Sequence, residues 1–136
     1  MSSPEPRRLR GGCLCGAVAY EVEDGFRYAL ACHCSQCRRA TGSAFKPFGG
    51  IERERFALTA GADRLLIHGD AGASHDARCA SCGSLLCSVV RENAWVHVTY
   101  GTLLDAPTLR VQAHIMVAHK APWFEITDGL PQNEEF

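Results

Sequence analysis

The sequence predicts a single all-β domain, and three observations support that prediction. The chain has 136 residues, of which 46% are hydrophobic and 21% are charged, so it can bury a core and is too apolar to be disordered. Short runs rich in β-branched and aromatic residues recur along it, separated by glycines. The sequence shows no sustained helical stripe, apart from one turn at Ser35–Thr41. We expect the domain to span residues 1–136, with loose ends at 1–8 and 132–136.

The predicted strands follow one another along the chain. In residues 17–22, Val18, Tyr20 and Val22 lie at a spacing of two, so we expect them to share one buried face. Pro47 predicts an edge position for the apolar run around it, because proline cannot donate a ladder hydrogen bond. The other predicted strands are 28–32, 65–68, 85–90, 95–100 and 114–117.

The charge balance excludes several classes of function. Fourteen lysines and arginines against fifteen aspartates and glutamates give a net charge of −1, so no long-range field attracts nucleic acid or an anionic membrane. No stretch approaches the ~20 apolar residues that span a bilayer. The first residues lack the apolar segment of a secretory signal. We therefore expect a cytoplasmic protein without a nucleic-acid or membrane partner.

Eight cysteines are the most informative feature of the composition. Disulfides would suit a small secreted domain, whereas a chain without an export signal is expected to keep its thiols reduced. Cysteines one or two residues apart on a turn can aim both sulfurs at one tetrahedral ion, and a glycine after them permits such a turn. Seven of the eight lie in three such groups: Cys13-Leu14-Cys15-Gly16, Cys32-His33-Cys34-Ser35-Gln36-Cys37 and Cys79-Ala80-Ser81-Cys82-Gly83. The grouping predicts metal binding rather than incidental buried thiols.

The seven sulfurs divide naturally into four and three. The middle group supplies Cys32, Cys34 and Cys37 and leaves the fourth position of a zinc ion open, as in catalytic sites. The alternative is that His33 or Cys87 fills that position and makes a second structural site. The first and third groups supply the four sulfurs of a closed structural zinc site: Cys13, Cys15, Cys79 and Cys82. We therefore expect two zinc ions per chain.

The same motifs resemble the glutathione-dependent formaldehyde-activating enzyme family, which also includes centromere protein V. The resemblance is carried by the three cysteine groups and by the late segment Lys120-Ala121-Pro122-Trp123-Phe124-Glu125-Ile126. It covers residues from about 11 to 132 and implies a β-tent fold, in which several small antiparallel sheets hold two zinc ions. It also implies the same division of the cysteines, with the first and third groups as structural ligands and the middle group as catalytic ligands.

The resemblance implies a carbon–sulfur lyase that works in the synthetic direction and adds glutathione, or another small thiol, to formaldehyde or a related aldehyde. Zinc with an open position could take up a thiol and remove its proton, and the thiolate would attack the aldehyde carbon. Three thiolates and Zn²⁺ carry a net charge of −1, so we expect Arg38 and Arg39 to offer positive charge to an anionic substrate. His33 could move protons near neutral pH.

Two other classes of function compete with the thiol-adduct enzyme. One is a non-catalytic zinc module that interacts with a protein partner, as related β-tent proteins do. The other is thiol exchange through a C-x-x-C pair, although the βαβ context of thioredoxin-like proteins is missing from the sequence. His114, Lys120 and Trp123 could each face the core or the site, and Cys87 is most simply a buried free thiol.

Overall fold

The computed structural model describes residues 5–136, and within them the chain forms ten β-strands and one α-helix. The helix, α1 (Ser35–Thr41), lies between the third and fourth strands. Turns of 3-10 helix lie at Arg53–Arg55, Ala62–Arg64, Tyr100–Thr102 and Val117–His119. None of the helices in residues 5–136 has the length and hydrophobicity needed to cross a membrane. The strands are β1 (Arg8–Gly12), β2 (Ala19–Glu23), β3 (Tyr28–Cys32), β4 (Lys46–Glu52), β5 (Phe56–Ala60), β6 (Leu65–Gly69), β7 (His75–Cys79), β8 (Leu85–Val90), β9 (Trp95–Thr99) and β10 (Ala113–Ile115).

The strands form two sheets. One sheet has three strands in the order β1-β2-β5, and the other has seven in the order β10-β3-β4-β9-β8-β7-β6. Neighbouring strands pair antiparallel except β10 and β3, which pair parallel. The prediction of an all-β fold is confirmed, and most of the strands join one large sheet.

The main core contains side chains from both sheets. Val18, Tyr20 and Val22 are buried in it, as their spacing of two predicted. The Tyr20 hydroxyl lies 2.7 Å from the Thr102 hydroxyl, and its ring packs on Phe56 with 5.0 Å between centroids. Each buried side chain of this size contributes about 1.5–3 kcal/mol to folding. Burial of this one face therefore holds the small sheet against the large one.

Sequence reasoning missed three strands, β1, β5 and β7. Four of the five β5 residues are exposed, so no alternation of apolar and polar residues marks this strand. Strand β7 is charged in sequence, and β1 contains two glycines. Strands β1 and β5 each pair with β2, and β7 pairs with both β6 and β8. This pairing overrides their weak local propensity.

The predicted edge position of Pro47 is wrong, because β4 lies between β3 and β9. Pairing of β4 with β9 begins at Phe48, which lies opposite Thr99, whereas Pro47 pairs only with Ala31 of β3. At this second position of the strand, proline leaves the β9 ladder intact.

The expectation of a loose end at 132–136 is also wrong. The Asn133 N–H donates to the carbonyl of His114 at 2.9 Å, and the Val117 N–H donates to the carbonyl of Asn133 at 3.0 Å. Strand β10 is at the edge of the large sheet, so its outer N–H and C=O groups were available for this pairing. Of the expected loose N-terminal end, residues 1–4 lie outside the described residues, and Arg8 already pairs in β1.

Candidate functional site

Two turns from distant parts of the chain bring four cysteines together. Cys13 and Cys15 follow β1, whereas Cys79 ends β7 and Cys82 lies in the next turn. The four sulfurs lie within 4.8 Å of one another. The sulfur of Cys15 is 3.7 Å from that of Cys13 and 3.7 Å from that of Cys79. Sulfurs bound at about 2.3 Å around a tetrahedral ion would lie about 3.8 Å apart, so the group could hold one such ion.

The backbone of both turns suits this purpose. Gly16 and Gly83 directly follow the second cysteine of each pair, with φ angles of 82° and 83°, which lie in the left-handed region that favours glycine. The Val18 N–H donates to the Cys13 sulfur at 3.2 Å. Hydrogen bonds of this kind stabilise negative charge on sulfur, as a metal-bound thiolate requires.

The second cysteine group is built where β3 meets α1. Cys32 ends β3, Cys34 is the N-cap of α1 and Cys37 lies in its first turn. Their sulfurs lie within 4.8 Å of one another, and no fourth histidine, cysteine or carboxylate from residues 5–136 joins them. The Cys37 N–H donates to the Cys34 sulfur at 3.3 Å, as an N-cap requires. A hydrogen bond with the Cys37 thiol lowers the pKa of Cys32 to about 6, so this sulfur readily forms a thiolate.

The three-cysteine group lies in the wall of a cavity of about 370 Å³. Phe48 and Ile115 line the cavity and form a small buried cluster with Cys32. His97 also lines it, with its ring stacked on Phe48 at 4.3 Å and its Nε2 2.7 Å from the Tyr28 hydroxyl. Burial lowers the pKa of His97 to about 4, so its ring is neutral near pH 7. The sulfurs therefore border a largely apolar space that can accept a small molecule.

A buried lysine lines the same cavity, and sequence reasoning missed it. Lys46 is the direct partner of Cys32 in the antiparallel pair of β3 and β4, and it is 6% exposed. Its Nζ donates to the Ser88 hydroxyl at 2.6 Å, and that hydroxyl donates to an Asp76 carboxylate oxygen at 2.6 Å. The three residues come from β4, β8 and β7, so only the register of the sheet brings them together. The one sequence signal was a lone lysine inside an apolar run.

A groove of about 580 Å³ adjoins the cavity, because Gln36, Asp76 and Ser88 line both. Arg39 and Arg78 line the groove. Positive side chains therefore lie next to the space that contains the three sulfurs.

A family model described as "Glutathione-dependent formaldehyde-activating enzyme" matches residues 8–119, which is most of the chain. The chain belongs to this family. The predicted resemblance is confirmed, and the family is abbreviated GFA below.

Several relatives carry the name "Putative glutathione-dependent formaldehyde-activating enzyme". Those from Fusarium vanettenii and Aspergillus flavus are each 32% identical over 76 residues, which are 56% and 54% of this chain. The matched segments span 41% and 40% of those two proteins, or about two fifths of their length. The relative from Halomonas elongata is 29% identical over 136 residues, covering 87% of this chain and 80% of that protein.

A solved structure shares the fold. The crystal structure of a Rhodobacter sphaeroides protein, a Northeast Structural Genomics target, is 27% identical to this chain and has a TM-score of 0.60. The likeness covers 73% of this chain and 91% of that one.

In this GFA chain His33 does not line the cavity with the sulfurs. Its ring is fully buried, and its Nε2 lies 2.8 Å from Nδ1 of His114, whose Nε2 lies 2.9 Å from the Asp128 carboxylate. Burial lowers the pKa of His33 to about 4. The structure therefore places His33 and His114 in a separate buried network, and it joins neither of them to the three-cysteine group.

Arg38 lines neither the cavity nor the groove, whereas Arg39 lines the groove. Successive residues of a helix point about 100° apart, so the Arg38 and Arg39 side chains face different parts of the structure. The Arg38 side chain is half-buried, and its Nε is buried without a hydrogen-bond partner among the described residues. Lys46 thus supplies a positive charge in the cavity itself, and Arg39 and Arg78 supply positive charge in the adjoining groove.

The other residues that the sequence left open lie away from the sulfurs. Lys120 donates to the carbonyl of Ala121 at 3.0 Å and to that of Phe124, and Trp123 is 70% exposed. Cys87 lines a different cavity, and burial raises its pKa to about 12. It belongs to neither cysteine group and is a buried free thiol, as predicted.

Proposed function

We propose that this chain is a zinc-dependent enzyme that adds glutathione, or another small thiol, to formaldehyde or a related aldehyde and forms an S-hydroxymethyl adduct. The observation that carries the proposal is the three-cysteine group in a cavity wall, without a fourth protein donor from residues 5–136. Sulfur donors suit zinc, and three of them leave one position for a substrate. Family membership and the names of the relatives support this choice of thiol and aldehyde.

The two cysteine groups would hold zinc for different purposes. The four-cysteine group offers a complete tetrahedral set and joins Cys15 to Cys79, which are 64 residues apart, so its zinc would be structural. In the three-cysteine group, bound zinc would lower the pKa of a substrate thiol and so supply a thiolate near neutral pH.

The other side chains of the cavity and groove bind and orient the substrates. Phe48 and Ile115 exclude water near the sulfurs, which strengthens electrostatic interactions there. Arg39 lines the groove and would bind a carboxylate of an anionic thiol such as glutathione. The volumes of cavity and groove fall within the range of about 300–1,000 Å³ that small-molecule sites occupy.

The reaction balances without any further reactant. The thiol releases its proton to solvent, and the sulfur electron pair forms the new carbon–sulfur bond. The carbonyl π pair moves to oxygen, which then takes a proton from water. The net change is the addition of one thiol to one aldehyde.

Carbon-13 NMR exchange spectroscopy of labelled formaldehyde with glutathione tests the proposal. The wild-type protein should raise the rate of exchange between free formaldehyde and adduct above the rate in buffer. Cys37→Ser should lose this acceleration, because it removes one donor of the three-cysteine group. Cys87→Ala is the matched control, since it removes a buried thiol outside both groups. A folded, metal-loaded wild type that leaves the exchange rate unchanged would contradict the proposal and favour a zinc module that binds a protein partner.

A further inference from the structure

A buried ammonium in the cavity wall is unusual. Lys46 is one of two lysines in the chain, and burying such a charge costs several kcal/mol unless an opposite charge compensates it. Among residues 5–136 Lys46 makes no direct ion pair, and its hydrogen bond goes to the neutral hydroxyl of Ser88. The Asp76 carboxylate is reached only through that hydroxyl. The ammonium is therefore held in place while donors remain for another ligand.

The register of the sheet places this ammonium beside the sulfurs. Direct partners on antiparallel strands project from the same face, with Cβ atoms about 4.5–5.5 Å apart, and Lys46 is the partner of Cys32. Both side chains line the same cavity. A small molecule in contact with the sulfurs is consequently within reach of Nζ.

We propose that Lys46 is a catalytic residue that binds the aldehyde oxygen, and that Ser88 and Asp76 position its ammonium. This inference rests on the proposed function, because the oxygen in question belongs to the aldehyde. As the carbon–sulfur bond forms, the carbonyl electron pair moves to that oxygen. A fixed ammonium beside it stabilises the developing negative charge without reorganisation. The proton that completes the adduct comes from water, so Lys46 keeps its own.

The charge of the site agrees with this role. Three thiolates with one divalent ion carry a net charge of −1, and an oxyanion formed beside them would add a second negative charge. Lys46 offsets one of these charges inside the cavity, where the low dielectric makes the interaction strong. A simple structural tie between β4 and β8 would need no charge, since two neutral groups can also share a hydrogen bond.

Four variants separate the catalytic role from a structural one. Lys46→Met keeps the length of the side chain and removes the ammonium, Lys46→Arg keeps a positive charge, and Ser88→Ala removes the positioning hydroxyl. Lys120→Met is the matched control, because this other lysine donates to backbone carbonyls outside the cavity. For each variant the exchange rate, the affinity for glutathione, the zinc content and the affinity for formate are measured. Formate serves as a stable probe, since it presents a negative oxygen on a single carbon.

Lys46→Met should lower kcat about 100-fold and weaken formate binding at least tenfold, while zinc content stays at the wild-type value and the affinity for glutathione changes less than threefold. Lys46→Arg should recover part of both losses, and Ser88→Ala should lower kcat about tenfold. Lys120→Met should have the wild-type kcat, zinc content and affinities for glutathione and formate. If Lys46→Met does not fold, the Arg and Ser88 variants decide the question by the same measurements.

Equal kcat and equal formate affinity in Lys46→Met and wild type would overturn the role of Lys46 and leave the proposed function intact. A wild type that does not accelerate exchange would overturn the proposed function and the catalytic role together. In that case, loss of formate binding in Lys46→Met would still identify an anion site at Lys46, and unchanged formate binding would remove that site as well.

Discussion

Removing one cysteine from the four-cysteine group should destabilise the folded protein far more than removing one from the three-cysteine group. Cys79→Ser changes the four-cysteine group, which connects the turn after β1 with the end of β7. Cys37→Ser changes the three-cysteine group, whose ligands all lie within residues 32–37. Both substitutions exchange sulfur for oxygen, so the chemistry of the change is the same and only the position differs.

The expected magnitudes follow from chain entropy and burial. Treated as a cross-link, a connection that closes the 64 residues from Cys15 to Cys79 restricts the unfolded chain by about 4.3 kcal/mol, whereas one that closes five residues gives about 2 kcal/mol. Cys79 is fully buried, and a serine hydroxyl without a partner there costs about 1–3 kcal/mol more. The total for Cys79→Ser is about 5–7 kcal/mol, against a typical domain stability of about 5–15 kcal/mol.

Calorimetry and elemental analysis of the purified variants measure the difference. Cys79→Ser should be insoluble or lose roughly 15 °C or more in Tm, whereas Cys37→Ser should lose less than about 8 °C and retain one zinc per chain. Equal loss of Tm in both variants would refute the division into a structural and a substrate-binding metal site. Wild-type protein that contains no metal after purification would refute it too.

Two further predictions concern charged side chains. Arg39→Ala should weaken glutathione binding about ten- to a hundredfold, because a charge-assisted hydrogen bond is lost, whereas Arg38→Ala should leave the affinity for glutathione unchanged. Isothermal titration calorimetry with glutathione measures both affinities. An equal loss of affinity in the two variants would contradict the assignment of the groove as the carboxylate site. Hydrogen bonds with Arg27 and Arg55 lower the pKa of Glu52 to about 2. A carboxylate with a lowered folded pKa stabilises the protein above its ordinary pKa of about 4.5 and loses that contribution as pH falls toward 2. Glu52→Gln should therefore reduce the free energy of unfolding at pH 7 by less than about 1 kcal/mol, since the ion pairs of Glu52 are near the surface. Urea titrations at several pH values should show that the difference in this free energy between Glu52→Gln and wild type vanishes near pH 2.

The cysteine groups could be found from sequence because cysteines that could bind one metal ion occur in closely spaced sets along the chain. A C-x-C or C-x-x-C pair on a turn already contains two of the four ligands of a tetrahedral metal site. The glycine after the pair indicates the left-handed backbone conformation that the turn needs. The fold class was predictable for a similar reason, since the alternation of Val18, Tyr20 and Val22 is a local pattern with one buried face.

The rest of the cavity could not be predicted because it depends on strand register. Lys46, Ser88 and Asp76 lie on three strands, and nothing in their separate segments indicates that these strands meet through β9 and β8. The prediction that Arg38 serves the site used position along the chain, whereas the direction of a helical side chain decides which of two neighbouring arginines lines the groove.

The sheet also connects the two cysteine groups to each other. Asp76 lies on β7, three residues before Cys79, and reaches Lys46 through Ser88. The four-cysteine group fixes the end of β7 against the turn after β1, and β7 in turn fixes the carboxylate that holds Ser88 in place. If the four-cysteine group holds a metal, its loss would therefore loosen the Cys79 end of β7, which otherwise pairs with β6 and β8, and would disturb the position of the Lys46 ammonium. A partial depletion of that metal should lower kcat before the domain unfolds, because an ammonium that moves by about 1 Å no longer meets the oxygen where its negative charge develops.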